Sequence, residues 1–135
     1  MPLADLKWYL DLETQSKAQN PDARKFRTKM FVATSFNRSV ADEFSSRAYN
    51  KHDPTGTGKV LFRFNFEEYN CLHVNYLDKS MYPQEKEFLL SPYSVLELVE
   101  VKQSHDLDHK AHVITVKVMP DNQAESNRLP LAPRI

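Results

Sequence analysis

Little in this chain would staple it covalently or carry it through a bilayer. Cys71 is the single cysteine among 135 residues, so no internal disulfide forms and no cysteine-based zinc site can be assembled. The longest apolar runs are a few residues, which excludes a transmembrane helix. Net charge is also missing. Eighteen basic and eighteen acidic residues cancel, so no overall field recruits nucleic acid or an anionic membrane surface, and neither is expected as a partner. The opening Met1-Pro2-Leu3-Ala4-Asp5 lacks the charged and apolar regions of a signal peptide. The chain reads as soluble, and its one cysteine favours a reducing, cytoplasmic setting. What is present is enough apolar residue, 41% with 11% aromatic, to bury one core. We expect one domain over residues 1–119 and a flexible or loosely docked tail over 120–135, where Pro120, Pro130 and Pro133 accompany little apolar content.

Helical periodicity comes first along the chain. Leu3, Ala4, Leu6 and Leu10 recur at helical spacing and predict an amphipathic helix from about residue 3 to 18, ended by Asn20-Pro21-Asp22. Met30-Phe31-Val32-Ala33 reads as a short buried strand, with Thr34-Ser35-Phe36-Asn37 as the turn after it. Ser39 and Asp42 form a capping box for a second helix, from Val40 to about Asn50. Beyond residue 58 the period changes to two. Val60, Phe62, Phe64 and Phe66 define one apolar strand face, and Ile114, Val116 and Val118 alternate with Thr115 and Lys117. Cys71 to Val74, Glu87 to Leu90 and Val95 to Val101 are further strands. The connections are too short for crossover helices, so pairing in this half should be mostly antiparallel. The fold class is α+β.

Several motifs lose their chemistry on inspection. Thr55-Gly56-Thr57-Gly58-Lys59 lacks the full phosphate-loop spacing and precedes a strand, so it is a loop. His105, His109 and His112, with Asp106 and Asp108, have metal-ligand atoms but no helix to align them; a solvated loop explains them and no metal is expected. Trp8 reads as core packing, and Cys71 as a small buried hydrophobe.

Glu85-Lys86-Glu87 carries more. Residues two apart on a strand share a face, so the two carboxylates stand side by side where a loop enters a sheet. Unequal burial separates their pKa values, leaving one to stabilise a developing cation and the other to handle a proton. Taken alone, an E-x-E is also common on a solvated strand face.

Two runs, in order, resemble the arginine-type ADP-ribosyltransferases. Phe31-Val32-Ala33-Thr34-Ser35-Phe36, leading into Val40 to Phe44, is similar to the family's aromatic-x-S-T-S strand and following helix. Tyr82-Pro83-Gln84-Glu85-Lys86-Glu87-Phe88-Leu89-Leu90-Ser91-Pro92-Tyr93 is similar to its E-x-E, apolar strand and proline turn. The resemblance implies an ADP-ribosyltransferase-like fold of split antiparallel β-sheets with N-terminal helices, and NAD as co-substrate in the cleft between the sheets. It implies transfer of ADP-ribose to arginine of a protein acceptor, with release of nicotinamide. Glu87 would then be the catalytic glutamate at the ribose 2′-hydroxyl, Glu85 the residue that orients and deprotonates the guanidinium, and Tyr82 a contact of the acceptor. Thr34 and Ser35 would support the NAD site. Ala33 departs from the motif's first serine. The family's opening arginine strand has no counterpart, since Arg24 and Arg27 lie too close to Phe31. Three readings of that gap stand open: the chain starts after the strand, another chain or segment supplies the arginine, or NAD chemistry has been lost. A catalytically inactive relative that binds a protein or nucleotide is accordingly the alternative function. An unrelated small interaction domain is a third.

Overall fold

The structure, a computed structural model, describes residues 1–35, 60–66, 74–77, 87–104 and 111–133. Helix α1 (Leu3–Glu13) starts on Pro2, whose carbonyl accepts the amides of Asp5 and Leu6 at 3.1 and 3.2 Å. It buries Leu6 and Tyr9 on one side, where α1 packs against strand β6 (Val95–Lys102). The helix stops short of residue 18 for a local reason. The Thr14 hydroxyl donates to the Asp11 carbonyl at 2.6 Å, the Ser16 hydroxyl accepts from Ala18, and the Asn20 side chain accepts from Asp22. Such side-chain bonds offer the backbone an alternative to the helical ladder.

Among the described residues, seven strands make two sheets. The larger has the order β1 (Lys25–Arg27), β6, β7 (His112–Val118), β3 (Val60–Asn65). The smaller has β2 (Val32–Ser35), β5 (Glu87–Leu90), β4 (Val74–Leu77), with β5 central. Pairing is antiparallel in both, except that β3 runs parallel to β7. That pair needs no helical crossover, because the chain reaches β7 from β3 by way of β4, β5 and β6. The alternation expected in β7 is present: His112, Ile114, Val116 and Val118 are buried. In β6 the register slips between Leu98 and Glu100, so Val99 is skipped in the pairing with β7 and is exposed. This bulge resets the pleat, which is why Leu96, Leu98 and Val101, instead of Glu100, lie in the core.

The core lies between α1 and the large sheet. Tyr9 is fully buried there, with Trp8, Phe26 and Phe62 meeting it edge to face at centroid distances of 5.0, 5.7 and 5.5 Å. Burial, helped by the Asp5 carboxylate, pushes the Tyr9 hydroxyl well above its ordinary range. Trp8 packs on Phe26 at 5.5 Å, as core packing predicts. Val32 and Leu90, from the small sheet, join the same cluster. Met30 and Phe31 do not. The expected strand begins two residues later, at Val32, leaving both exposed, and Thr34 and Ser35 lie in the strand instead of a turn.

One two-stranded ribbon, β1 and β2 paired with β6 and β5, runs through both sheets. Arg27 is opposite Val95 in the large sheet and Val32 is opposite Leu90 in the small one. The four residues 28–31 therefore face the four residues 91–94, and register is the same on both sides of the break. Thr28 and Ser94 join the spacers: the Thr28 amide donates to the Ser94 carbonyl at 3.0 Å, the Tyr93 amide to the Thr28 carbonyl at 2.8 Å, and the Ser94 amide to the Thr28 hydroxyl at 3.2 Å.

Residues 120–133, expected to be loose, return to the large sheet. Leu131 forms a parallel bridge with Arg27, the Arg27 amide donates to Pro130, the Ala132 amide donates to Arg27, and Ala132 is buried. The segment covers the outer edge of β1, whose amides and carbonyls would otherwise be open for pairing. A 3₁₀ turn, Asn122–Ala124, precedes the bridge.

Candidate functional site

Ser35 ends β2 and Glu87 begins β5, and the register sets them directly opposite each other. The other pairs are Thr34 with Phe88, Ala33 with Leu89, and Val32 with Leu90. On its other side Glu87 is paired with Leu77 of β4. The Val32–Leu90 end of the small sheet is anchored in the core, so Ser35 and Glu87 stand at its far end. Two runs about fifty residues apart in the chain thus meet at one register position. Directly opposed residues share a face, and alternate residues along a strand do too. Ala33, Ser35, Glu87 and Leu89 therefore occupy one face, opposite to the core face of Val32 and Leu90. Ala33 is exposed on that face and Leu89 half-buried. Thr34 is on the other face, with Phe88, so of the two hydroxyl residues expected together only Ser35 shares a face with Glu87.

Glu85 and Tyr82 lie outside the described residues, as do the expected helix from Val40, the run Thr55 to Lys59, Cys71, His105 and His109. His112 belongs to no loop. It is the first residue of β7, buried, and its Nδ1 accepts the Ser104 amide at 3.0 Å. Arg24 and Arg27 are both committed to backbone oxygens. Arg24 Nε donates to Gln15 at 3.0 Å. Arg27 Nη1 donates to the Tyr93 carbonyl at 3.0 Å, and Nη2 to the carbonyls of Asn122, Glu125 and Ser126 at 3.2, 3.2 and 2.9 Å.

That guanidinium braces the break below the candidate site. Tyr93, whose carbonyl it holds, has φ 62° in the left-handed region, a conformation that costs a non-glycine residue free energy and persists only where the surroundings fix it. From the other side the Asn122 side-chain oxygen accepts the Val95 amide at 2.8 Å, and its nitrogen lies 3.4 Å from the Ser94 hydroxyl. Ser94 in turn donates to the Ser91 carbonyl at 2.7 Å. Nearby, the Lys25 ammonium contacts Asp22 at 2.9 Å and Glu125 at 2.8 Å. Burial alone would lower its pKa, but hydrogen bonds to Glu125 and Asp22 and their charges outweigh that, and the ammonium is held above its ordinary range. Sequence reading missed this brace. Its one local signal is the run Ser91-Pro92-Tyr93-Ser94, which marks a turn without saying what holds it.

No family model matches the chain, and no curated protein matches it. Two solved structures do. One is the ADP-ribosyltransferase Vis in complex with an inhibitor, M6, with TM-score 0.53 and 20% identity over 70% of this chain and 39% of that one. The other is Vis toxin, an ADP-ribosyltransferase from Vibrio splendidus, with TM-score 0.54 and 16% identity over 79% of this chain and 43% of that one. The chain therefore spans about two fifths of the length of those structures. At this identity the likeness is one of fold: the molecule has an α+β, ADP-ribosyltransferase-like fold.

Proposed function

We propose that this chain is an NAD-dependent mono-ADP-ribosyltransferase domain that transfers ADP-ribose from NAD to arginine of a protein acceptor and releases nicotinamide. The observation that carries the reading is the register position shared by Ser35 and Glu87, on the face of the small sheet turned from the core. The Vis-like fold supports it.

In this reading the bond between ribose C1′ and nicotinamide breaks, and its electron pair leaves with nicotinamide. Glu87 stabilises the positive charge that builds on the ribose, most strongly where water is excluded, and contacts the 2′-hydroxyl. Ser35, opposite it, holds that carboxylate in place. An acceptor guanidinium nitrogen bonds to C1′ and gives its proton to Glu85, while Tyr82 packs against the incoming arginine. Thr34 acts from the opposite face, on the strand that carries Ser35. NAD and the protein acceptor are the partners; balanced charge argues against nucleic acid or a membrane surface. The docking of residues 120–133 supports counting them with the one domain.

Nicotinamide release from labelled NAD, with and without agmatine or polyarginine, tests the proposal. Full-length protein should release it faster with the guanidino acceptor, and Glu87→Gln should cut turnover on the order of 10²–10³-fold, the usual loss when a group stabilising transition-state charge is removed. Absence of turnover by the full-length wild type sinks the enzyme reading. A second reading, a catalytically inactive relative that binds a protein or nucleotide, is favoured by Ala33, which leaves the face of Ser35 and Glu87 one hydroxyl short.

A further inference from the structure

We propose that Arg27 is a positioning residue. With Asn122 it locks the break in the ribbon and thereby sets the angle at which the Ser35–Glu87 end of the small sheet stands to the large sheet. Its link to activity rests on the transferase reading above; its mechanical part does not.

Two strands cross from one sheet to the other side by side, through residues 28–31 and 91–94, where both halves of the ribbon depend on the same few bonds. Direct bonds between the spacers run through Thr28 alone on one side, to Tyr93 and Ser94 on the other. A hinge of that kind can still rotate. The Arg27 fork removes the freedom, because it ties the Tyr93 carbonyl to three carbonyls of the segment 122–126. A planar guanidinium spans such divergent acceptors, whereas a lysine ammonium is a single compact point. Asn122 closes the other side by holding Val95 and Ser94. The left-handed Tyr93 fits this account, since a strained residue at a joint needs outside bonds to keep it. Past the joint, β2 and β5 leave as a paired unit with Ser35 and Glu87 at its end. A small rotation at the joint therefore becomes a displacement at the site, and displacements near 1 Å are enough to cost roughly 10²-fold in rate.

The test is residue-resolved amide exchange and steady-state kinetics on the full-length protein, with Arg27→Lys, Asn122→Ala and, as control, Lys25→Met. The control loses the side-chain bonds to Glu125 and Asp22 while the bonds made by Arg27 and Asn122 themselves stay in place. In Arg27→Lys and Asn122→Ala, amides of 32–35 and 87–90 should exchange roughly tenfold faster, the order expected for one lost strong hydrogen bond, while those of 112–118 keep their protection. The kcat for NAD should fall by about tenfold in both, consistent with a displaced carboxylate. Lys25→Met should keep wild-type kcat despite a lower Tm. Unchanged exchange in 32–35 and 87–90, or an equal loss of protection in both sheets for both variants, overturns the proposal. So does a kcat loss in Lys25→Met that matches the other two. If the wild type turns over no NAD, the transferase reading fails, and the exchange pattern alone still decides whether Arg27 locks the joint.

Discussion

Lys25, with only 12% of its side chain exposed, holds two carboxylates, and its raised pKa makes a stability prediction with a definite sign. A lysine whose folded pKa exceeds the unfolded one contributes fully below the unfolded value, near 10.5, and the contribution fades as pH rises through the folded value. Lys25→Met should therefore destabilise by about 2 kcal/mol at pH 8, much of it from leaving Glu125 buried without its partner. The gap from wild type should narrow at pH 11, as read from urea unfolding at both pH values. Tyr93 offers a second test at this scale. Because its φ is 62°, Tyr93→Val should cost about 1–2 kcal/mol, whereas Tyr93→Gly should be neutral or mildly stabilising. Ala33 belongs here too. It shares a face with Ser35 and Glu87, so Ala33→Ser should raise nicotinamide release several-fold if a second hydroxyl steadies the glutamate, in line with the rate cost of loose positioning.

Among the elements, the small sheet is seated by one end. Leu90 is fully buried beside Val32, and Leu90→Ala should destabilise by about 2–5 kcal/mol in equilibrium unfolding. This seat was legible in sequence, because Phe88-Leu89-Leu90 is an apolar run against a turn, and β7 was legible from its strict alternation. The pairing of Ser35 with Glu87 had a sequence signal of a different kind, the order and spacing of two motifs. Strand β1 had none. It has three residues with a single apolar one, Phe26, among Arg24, Lys25 and Arg27, and it exists because β6 and residues 130–132 supply its partners. Helix α1 ended early because hydroxyl and amide side chains bonded to nearby backbone, which periodicity does not register. The opposite faces of Thr34 and Ser35 follow from β2 being a strand through both residues, where the sequence had suggested a turn.

At the scale of the whole molecule, the C-terminal segment serves as the third side of the joint. It supplies the carbonyls for Arg27, the carboxylate for Lys25, the side chain of Asn122 and the cover for the β1 edge. Removing residues 120–135 should cost at least about 3 kcal/mol, given roughly 1 kcal/mol for each ordinary bond lost and more for charged ones. Thermal unfolding of the truncated chain checks this, and an unchanged Tm would restore residues 1–119 as a self-sufficient unit. The shared register across the break has a genetic consequence. A one-residue insertion between 28 and 31 cannot be absorbed on that strand alone, since either Arg27 loses its place beside Val95 or Ser35 slides past Glu87. A matching insertion between 91 and 94 cancels the slip. Length changes in these two spacers should thus be inherited as suppressor pairs, each harmful singly and tolerated together, even though more than fifty positions of sequence separate them.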